Sequence, residues 1–419
     1  MTHLPRITAG RRRARLVRRH LLTPAARVDG AHEVADALIG LHATDPATVF
    51  LAAAARMRAP TPDAIDQALY ARQSGVPVLE RIRCMRRTMF VVPERLAPAV
   101  LSATAQNTDR LRAEAMDKLN QALGWDLRHY TAVQRDTLAA LAERGAATAA
   151  QLAADVPALR EQLVVFPGKS YESRQRAAST VLGVLAAEGH IRRARPAGSW
   201  TSAQFRWTPA QPLPAVPITE ARATLARHYL AAYGPATADD VKWWTGWNLT
   251  DTRKAIAATG AQAVELDEGT GYLLPEDLEE LEELGELEDL GDLGDPEGLE
   301  SLAPVAPHAS GAVLLPGLDP TPMGWRHRHW YLEPAHTAAL FDRNGNIGPT
   351  VWWGGRIIGA WAQHADGHIN HHLLTDAPAA ARAAVDEEIG RLTAFLSTTR
   401  VTPAYRTPLE RRLAVGGPD

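Results

Sequence analysis

Four histidines, His364, His368, His371 and His372, fall within nine residues. His364 and His368 would share a face only in a helix. The segment QHADGHINHHL instead reads as strand and turn, where His371 and His372 point to opposite sides of a sheet. The spacing therefore assembles no zinc site, and the single Cys84 supplies neither a cysteine-based one nor an internal disulfide. There is no phosphate-binding P-loop, no GxGxxG in a βαβ setting and no GxSxG elbow. No metal and no cofactor are expected. What the residues do offer is cationic chemistry. Arg83, Arg86 and Arg87 follow Arg81 in RIRCMRRTMFVVP, Arg174 and Arg176 lie in SRQRAASTVLGV, and Arg192, Arg193 and Arg195 lie in IRRARP. All eight are candidate phosphate contacts; a solvated surface would carry the same side chains.

The formal net charge of −3 hides a basic body. Residues 276–300, EDLEELEELGELEDLGDLGDPEGLE, hold 13 acids and no Lys or Arg. Without them the chain has 45 basic against 35 acidic residues, a surplus of ten. Such a surplus suits a polyanion, nucleic acid being the usual one; an Arg-rich genomic bias gives the same count. The low-complexity acidic stretch, 276–303, reads as a linker, since its repeated glycines oppose one stable helix and it has little apolar surface to bury.

A chain of 419 residues exceeds one core, so two to four domains are expected. No run of about 18 apolar residues marks a membrane helix. The basic N-terminus lacks the apolar stretch and cleavage site of a secretory signal. A reducing, cytoplasmic compartment fits the cysteine usage, and a monomer is expected.

The elements that must position these residues form an α+β chain. Residues 1–127 read as helices leading into the strand-like TMFVVP, with Asp45-Pro46 a helix start in which Asp caps and Pro occupies the first turn. Residues 128–212 read as three helices, the third beginning at SRQR, and a hairpin around Pro196-Ala197-Gly198-Ser199, which is a winged helix-turn-helix pattern. Residues 213–275 repeat it, with the Trp243-Trp244 pair in the core. Three tandem winged helices are expected in all. Residues 304–419 carry five tryptophans between Pro316 and Gln363, with Asn344-Gly345 and Gly354-Gly355 turns, and read as a small antiparallel β-barrel-like module closed by a C-terminal helix.

Four stretches, GLHATDP, RIRCMRRTMFVVP, YGPATADDVKWWTG and the Trp-rich PGLDPTPMGWRHRHW with its following strands, resemble the AlkZ/YcaQ-like winged-helix DNA glycosylases. The resemblance spans nearly the whole chain outside the acidic stretch. It implies excision of bulky or crosslinking N7-alkylated purines from double-stranded DNA. It also implies a catalytic motif just before the Asp-Pro helix start, Gln-apolar-Gln or Gln-apolar-Asp in the family. Here those positions are His42, Ala43 and Thr44. An alkylated purine is already a good leaving group, so the site must place a water at C1′ and tolerate oxocarbenium character on the sugar. His42 can orient that water and accept its proton, with a pKa expected near neutrality. Thr44 offers a hydroxyl, and Asp45 is the nearest carboxylate. The alternative is a non-catalytic winged-helix DNA-binding protein, a regulator or lesion sensor, in which His42 only packs.

Overall fold

The computed structural model describes residues 4–73, 76–165, 168, 172–281 and 311–416. Its first stretch runs α1 (Ala9–Arg19), α2 (Ala31–Ala37), β1 (Leu41–His42), α3 (Pro46–Arg56), α4 (Pro62–Tyr70), the hairpin β2 and β3 (Arg72–Gln73, Val76–Pro77), β4 (Leu79–Arg83), β5 (Met89–Pro93) and α5 (Ala97–Ala103). Here β1 pairs antiparallel with β5, and the sheet order is β1-β5-β4.

The second stretch runs α6 (Thr108–Leu123), α7 (Leu127–Arg144), β6 (Ala147–Thr148), α8 (Ala149–Asp155), the hairpin β7 and β8 (Gln162–Val165, Ser173–Arg176), α9 (Ala177–Ala187), β9 (Ile191–Pro196) and β10 (Phe205–Pro209). The third runs α10 (Ile218–Tyr233), β11 (Ala236–Thr237), α11 (Ala238–Thr245), α12 (Leu249–Ala258), β12 (Gln262–Leu266) and β13 (Gly269–Leu273). Their sheet orders are β6-β10-β9 and β11-β13-β12. All three stretches thus follow one path: helix, short strand, two helices, then a hairpin whose last strand pairs back with the first.

The sequence reason recurs as well. Each short strand runs into a side chain that caps the next helix and satisfies an orphan backbone N–H: Asp45 for α3, Thr148 for α8 and Thr237 for α11.

The final stretch holds β14 (Ala312–Leu315), α13 (Thr337–Leu340), β15 (Thr350–Trp353), β16 (Arg356–Gln363), β17 (Ile369–Leu373), α14 (Ala379–Leu396) and α15 (Pro408–Ala414). Its four strands pair antiparallel in chain order. The barrel-like module expected here is therefore an open four-stranded sheet with β14 and β17 at its edges. Gly354 and Gly355, at φ of 53° and 74°, make the left-handed turn from β15 to β16.

Contacts divide the chain into two units. One comprises residues 1–80, 84–104 and 216–419; the other comprises 81–83 and 105–215. The first and third stretches and the C-terminal sheet, read from sequence as separate segments, belong to a single unit. In the second unit Tyr130, Leu141, Leu152, Val181, Leu182 and Ile191 lie at the centre of the core.

The first unit is built around a series of ring contacts, some stacked and most edge-on or tilted: His20, Tyr229, Tyr233, Trp244, Trp325, Trp330, Tyr331 and Trp352. Beside them Arg56, fully buried at the end of α3, donates to both oxygens of the equally buried Asp319 at 2.8 and 2.7 Å and to the carbonyl of His20. Thr48 of α3 donates to Gly317 O at 2.8 Å. The PGLDP loop is thereby fixed along α3.

The cations of α1 do not all face solvent. Arg12 and Arg15 are buried, Arg12 on Glu268 at 2.5 Å, and Arg15 and Arg19 on Asp277 and Glu280. Nor does a linker begin at Glu276: a 3₁₀ turn, Pro275–Asp277, continues helically to Leu281, which is fully buried with Ile7, Val264, Leu266 and Leu273. The rest of the acidic stretch, 282–303, lies outside the described residues. Counting Glu276, Asp277, Glu279 and Glu280 with the body lowers its basic surplus from ten to six.

Candidate active site

His42 ends β1, opposite Phe90 of β5, with the two rings in an edge contact at 5.0 Å between centroids. Its neighbour Ala43 donates its N–H to Met89 O at 2.8 Å, which extends the pairing by one residue. His42 is only 4% exposed, and its Nδ1 is buried with no hydrogen-bond partner. Thr44, two residues on, is half-buried, and its Oγ1 is likewise buried and unpartnered. Two orphan polar atoms two residues apart in the chain are costly in a folded protein, and such atoms call for an explanation.

Asp45 is not a third member of this pair. Its Oδ1 accepts from Ala47 N at 3.1 Å as the helix cap, and its Oδ2 accepts from Ala404 N at 2.8 Å. Burial raises its pKa, against the pull of those two N–H groups. It is a structural cap.

Burial, reinforced by the nearby Arg86 guanidinium, pushes the pKa of His42 down to about 3. The expectation of a value near neutrality is corrected: the imidazole is a neutral donor and acceptor throughout the physiological range. Cys84, also buried, has its thiol pushed up to about 12 and is no nucleophile.

Arg86 and Arg87 form the tip between β4 and β5, both left-handed at φ of 49° and 62°. The turn is closed by Arg87 N donating to Cys84 O at 2.8 Å and Thr88 N donating to Met85 O at 3.0 Å. Non-glycine residues in this region store strain, which concentrates at functional sites. Arg87 is exposed; Arg86 is half-buried, its guanidinium 4.0 Å from the centre of Trp243. The Trp pair expected in the core therefore splits: Trp244 is core, while Trp243 is half-buried under a cation.

Arg328 also lies on Trp243, at 4.8 Å. Sequence reading passed over it, although RHRHW, in one of the landmark stretches, was its signal.

The other candidate cations belong to the second unit. Arg83, at the end of β4, and Arg195, on β9, are exposed. Arg193, half-buried on β9, lies over Phe205 at 4.9 Å and Trp207 at 5.5 Å; burial, then Arg81 and Arg83, lower its pKa. Arg192 donates to Gln211 O at 3.2 Å. Arg174 and Arg176, placed by sequence at the start of the third helix, are instead exposed on β8. Helix α9 starts only after them and presents small or apolar residues, AASTVLGVLAA. It lacks the long polar side chains that read base edges.

Among the described residues no three His, Cys, Asp or Glu side chains are grouped to hold a metal ion. Among them too, no helix is long and apolar enough to cross a membrane.

A mixed α+β chain of small antiparallel sheets in this arrangement has a counterpart among the DNA glycosylases. The sequence pattern of the family described as DNA glycosylase AlkZ-like matches residues 35–395, and the chain belongs to that family. Its structure is similar to that of Streptomyces sahachiroi DNA glycosylase AlkZ, with a TM-score of 0.66 at 20% identity over 94% of this chain and 98% of that one. At that identity the likeness speaks for the fold. No curated protein matches the sequence.

Proposed function

We propose that this DNA glycosylase hydrolyses the N-glycosidic bond of bulky or crosslinking N7-alkylated purines, with His42 and Thr44 holding the attacking water. The observation that carries the reading is the pair of buried, unpartnered polar atoms, His42 Nδ1 and Thr44 Oγ1, at the start of α3. A water seated there donates to Nδ1 and engages the Thr44 hydroxyl. The bond from C1′ to the alkylated base breaks with its electron pair going to the base, which leaves neutral. The water oxygen then bonds to C1′ while His42 Nδ1 and Thr44 hold the water, and its proton is released to solvent. Neutral His42 adds no positive charge beside the oxocarbenium, as a protonated imidazole would. The reaction forms no covalent link to the protein, which makes the enzyme monofunctional.

The three helix–strand–helix–helix–hairpin stretches are, in this reading, tandem winged helices. Arg83, Arg86, Arg87, Arg174, Arg176, Arg192, Arg193 and Arg195 contact phosphates of double-stranded DNA from their hairpins. We place the enzyme in the cytoplasm as a monomer; a lone buried thiol fits a reducing compartment.

One observation favours a second reading, a DNA-binding lesion sensor: a histidine with a pKa of about 3 is a poor proton acceptor, and the nearest carboxylate is engaged as a cap.

Incubation with duplex DNA carrying an N7-alkylguanine, followed by detection of the free base and the abasic site, separates the two. Wild type should release base. His42→Ala should release it about 10²-fold more slowly, the scale of losing a positioned proton acceptor, with duplex affinity unchanged. Release by neither protein, with binding intact, assigns the chain to the sensor class. Equal release by both removes His42 from the site.

A further inference from the structure

Arg86 and Arg328 converge on one indole without a counter-charge. Arg86 lies 4.0 Å and Arg328 4.8 Å from the centre of Trp243, and Arg328 lies 5.0 Å from that of Phe341. The Nε of each is buried with no hydrogen-bond partner. Elsewhere in the first unit the buried arginines are neutralised: Arg12 by Glu268, Arg15 by Asp277 and Glu280, Arg27 by Glu388, Arg56 by Asp319. Among the described residues neither Arg86 nor Arg328 pairs with a carboxylate. Burial and the proximity of Arg328 push Arg86 down to about 10. Stacking on an aromatic face recovers only part of the cost of desolvating a cation.

The fold spends ordered structure on holding this arrangement. Thr237 and Asp240 form a reciprocal cap that starts α11, the helix carrying Trp243. The second oxygen of the fully buried Asp240 accepts from the backbone N–H of Arg326 and of His327, both at 2.9 Å, which anchors the loop carrying Arg328. Gly246, left-handed at φ 82°, ends α11, and a side-chain carbon added there would meet Arg86 Cα at 3.7 Å. Arg86 itself sits in the strained left-handed turn. Three separate elements thus bring two uncompensated guanidinium groups to one indole, and Arg86, one of the two, lies near enough to His42 to lower its pKa.

We propose that Arg86 and Arg328, held against Trp243, form a phosphodiester site that seats one backbone phosphate of the substrate strand beside the His42–Thr44 pair. The proposal rests on the reading that the chain acts on DNA; it adds Arg328 and Trp243 to the interface and gives Arg86 a defined ligand. Two guanidinium forks match the oxygens of a phosphate monoanion. The phosphate also supplies the negative charge that the protein does not place there, beside a sugar that becomes cationic in the reaction.

The test uses the full-length protein and duplex DNA with one tetrahydrofuran abasic analogue, so no bond needs to be cleaved. A single neutral methylphosphonate is moved along the linkages flanking that analogue, with wild type, Arg86→Gln, Arg328→Gln and the double variant. In wild type one linkage should weaken binding about tenfold or more when neutralised, the scale of a lost charge-assisted hydrogen bond. The double variant should be indifferent to that same linkage, and its log-affinity against log-salt slope should be shallower by about 0.9, the value for one phosphate. Arg86→Lys should keep the slope. Removing a cation that nothing neutralises should leave the melting temperature of Arg86→Gln equal or higher, whereas a purely structural arginine would lower it. Equal sensitivity of wild type and double variant at every linkage, or an unchanged salt slope, overturns the site. Linkage coupling in a protein that releases no base would keep the phosphate site and remove the glycosylase reading. Base release without coupling would do the reverse.

Discussion

The buried neutral imidazole of His42 makes a prediction about acid stability that needs no assumption about catalysis. In the unfolded chain this group titrates near 6.5, and in the fold near 3. Its folded pKa is depressed, so below pH 6.5 the unfolded state binds a proton that the native state refuses. The contribution is therefore intact above about pH 6.5 and is lost as pH falls from there towards 3. Between pH 7.5 and pH 5.5 the loss is about 1.4 kcal/mol for His42. His20, buried against Thr321 and Ala232 O and depressed to about 3 by burial and then Arg56, loses a similar amount over the same window. Burial lowers His228 too, so the whole protein should weaken in acid.

The His42 share is isolated by His42→Gln, which keeps a donor and an acceptor and removes the titration. Denaturant midpoints of wild type and variant at both pH values give the stability difference at each. That difference should move by about 1.4 kcal/mol in favour of the variant on going to pH 5.5. A difference that stays constant with pH would show that His42 titrates normally in the fold, and would remove the neutral imidazole from the proposed mechanism.

Two further outcomes follow from packing. Leu281→Ala should lower stability by about 2–5 kcal/mol, the range for a fully buried Leu, and an internal deletion of residues 277–301 should cost at least as much because it also strips Asp277 and Glu280 from Arg15 and Arg19. Both are read from denaturant unfolding, and a neutral effect would mean that Pro275–Leu281 does not pack as described. Asp319→Ala should cost about 3–5 kcal/mol, because it leaves Arg56 charged, fully buried and without its carboxylate. Asp319→Ala paired with Arg56→Met should recover much of that loss, and no recovery would mean that the loop, not the charge, was what Asp319 secured.

The local signals in the sequence were legible wherever chemistry is set within a few residues. Asp45-Pro46 starts α3 and Gly354-Gly355 turns β15 into β16, each for a reason visible in the local residues. What could not be read is what the chain does with charge over distance. Arg12 and Arg15 look like surface residues of a basic helix, and only partners more than 250 residues away make their burial tolerable. The acidic stretch looks uniform, yet its first turn supplies the partners of Arg15 through Asp277 and Glu280. Arg174 and Arg176 fell on the wrong element because QRAAS has no strong break, and pairing with β7, the other strand of its hairpin, decides that SRQR is a strand. His42 could be located by resemblance alone; its burial, and so its pKa, depends on Phe90 and on Arg86 in a turn that no local rule anticipates.

That burial changes what the departure from the family's motif means on the proposed reading. A free histidine in place of a glutamine would bring a group that is half charged near pH 6.5 into a site where a sugar becomes cationic. A histidine held near pKa 3 has no such charge. It presents one ring nitrogen that donates and one that accepts, which is the hydrogen-bonding repertoire of an amide. Thr44, with a hydroxyl that both donates and accepts, preserves neutrality at the second position, where a carboxylate would have introduced a formal negative charge. The protein's own contribution to local charge is then positive, from Arg86, and the negative partner that balances it must arrive with the substrate. A site of this design is poorly disposed towards a cationic sugar until a phosphate is seated, so the proposed phosphodiester contact and the proposed chemistry are one electrostatic arrangement. Loss of the contact should then slow base release by more than it weakens binding.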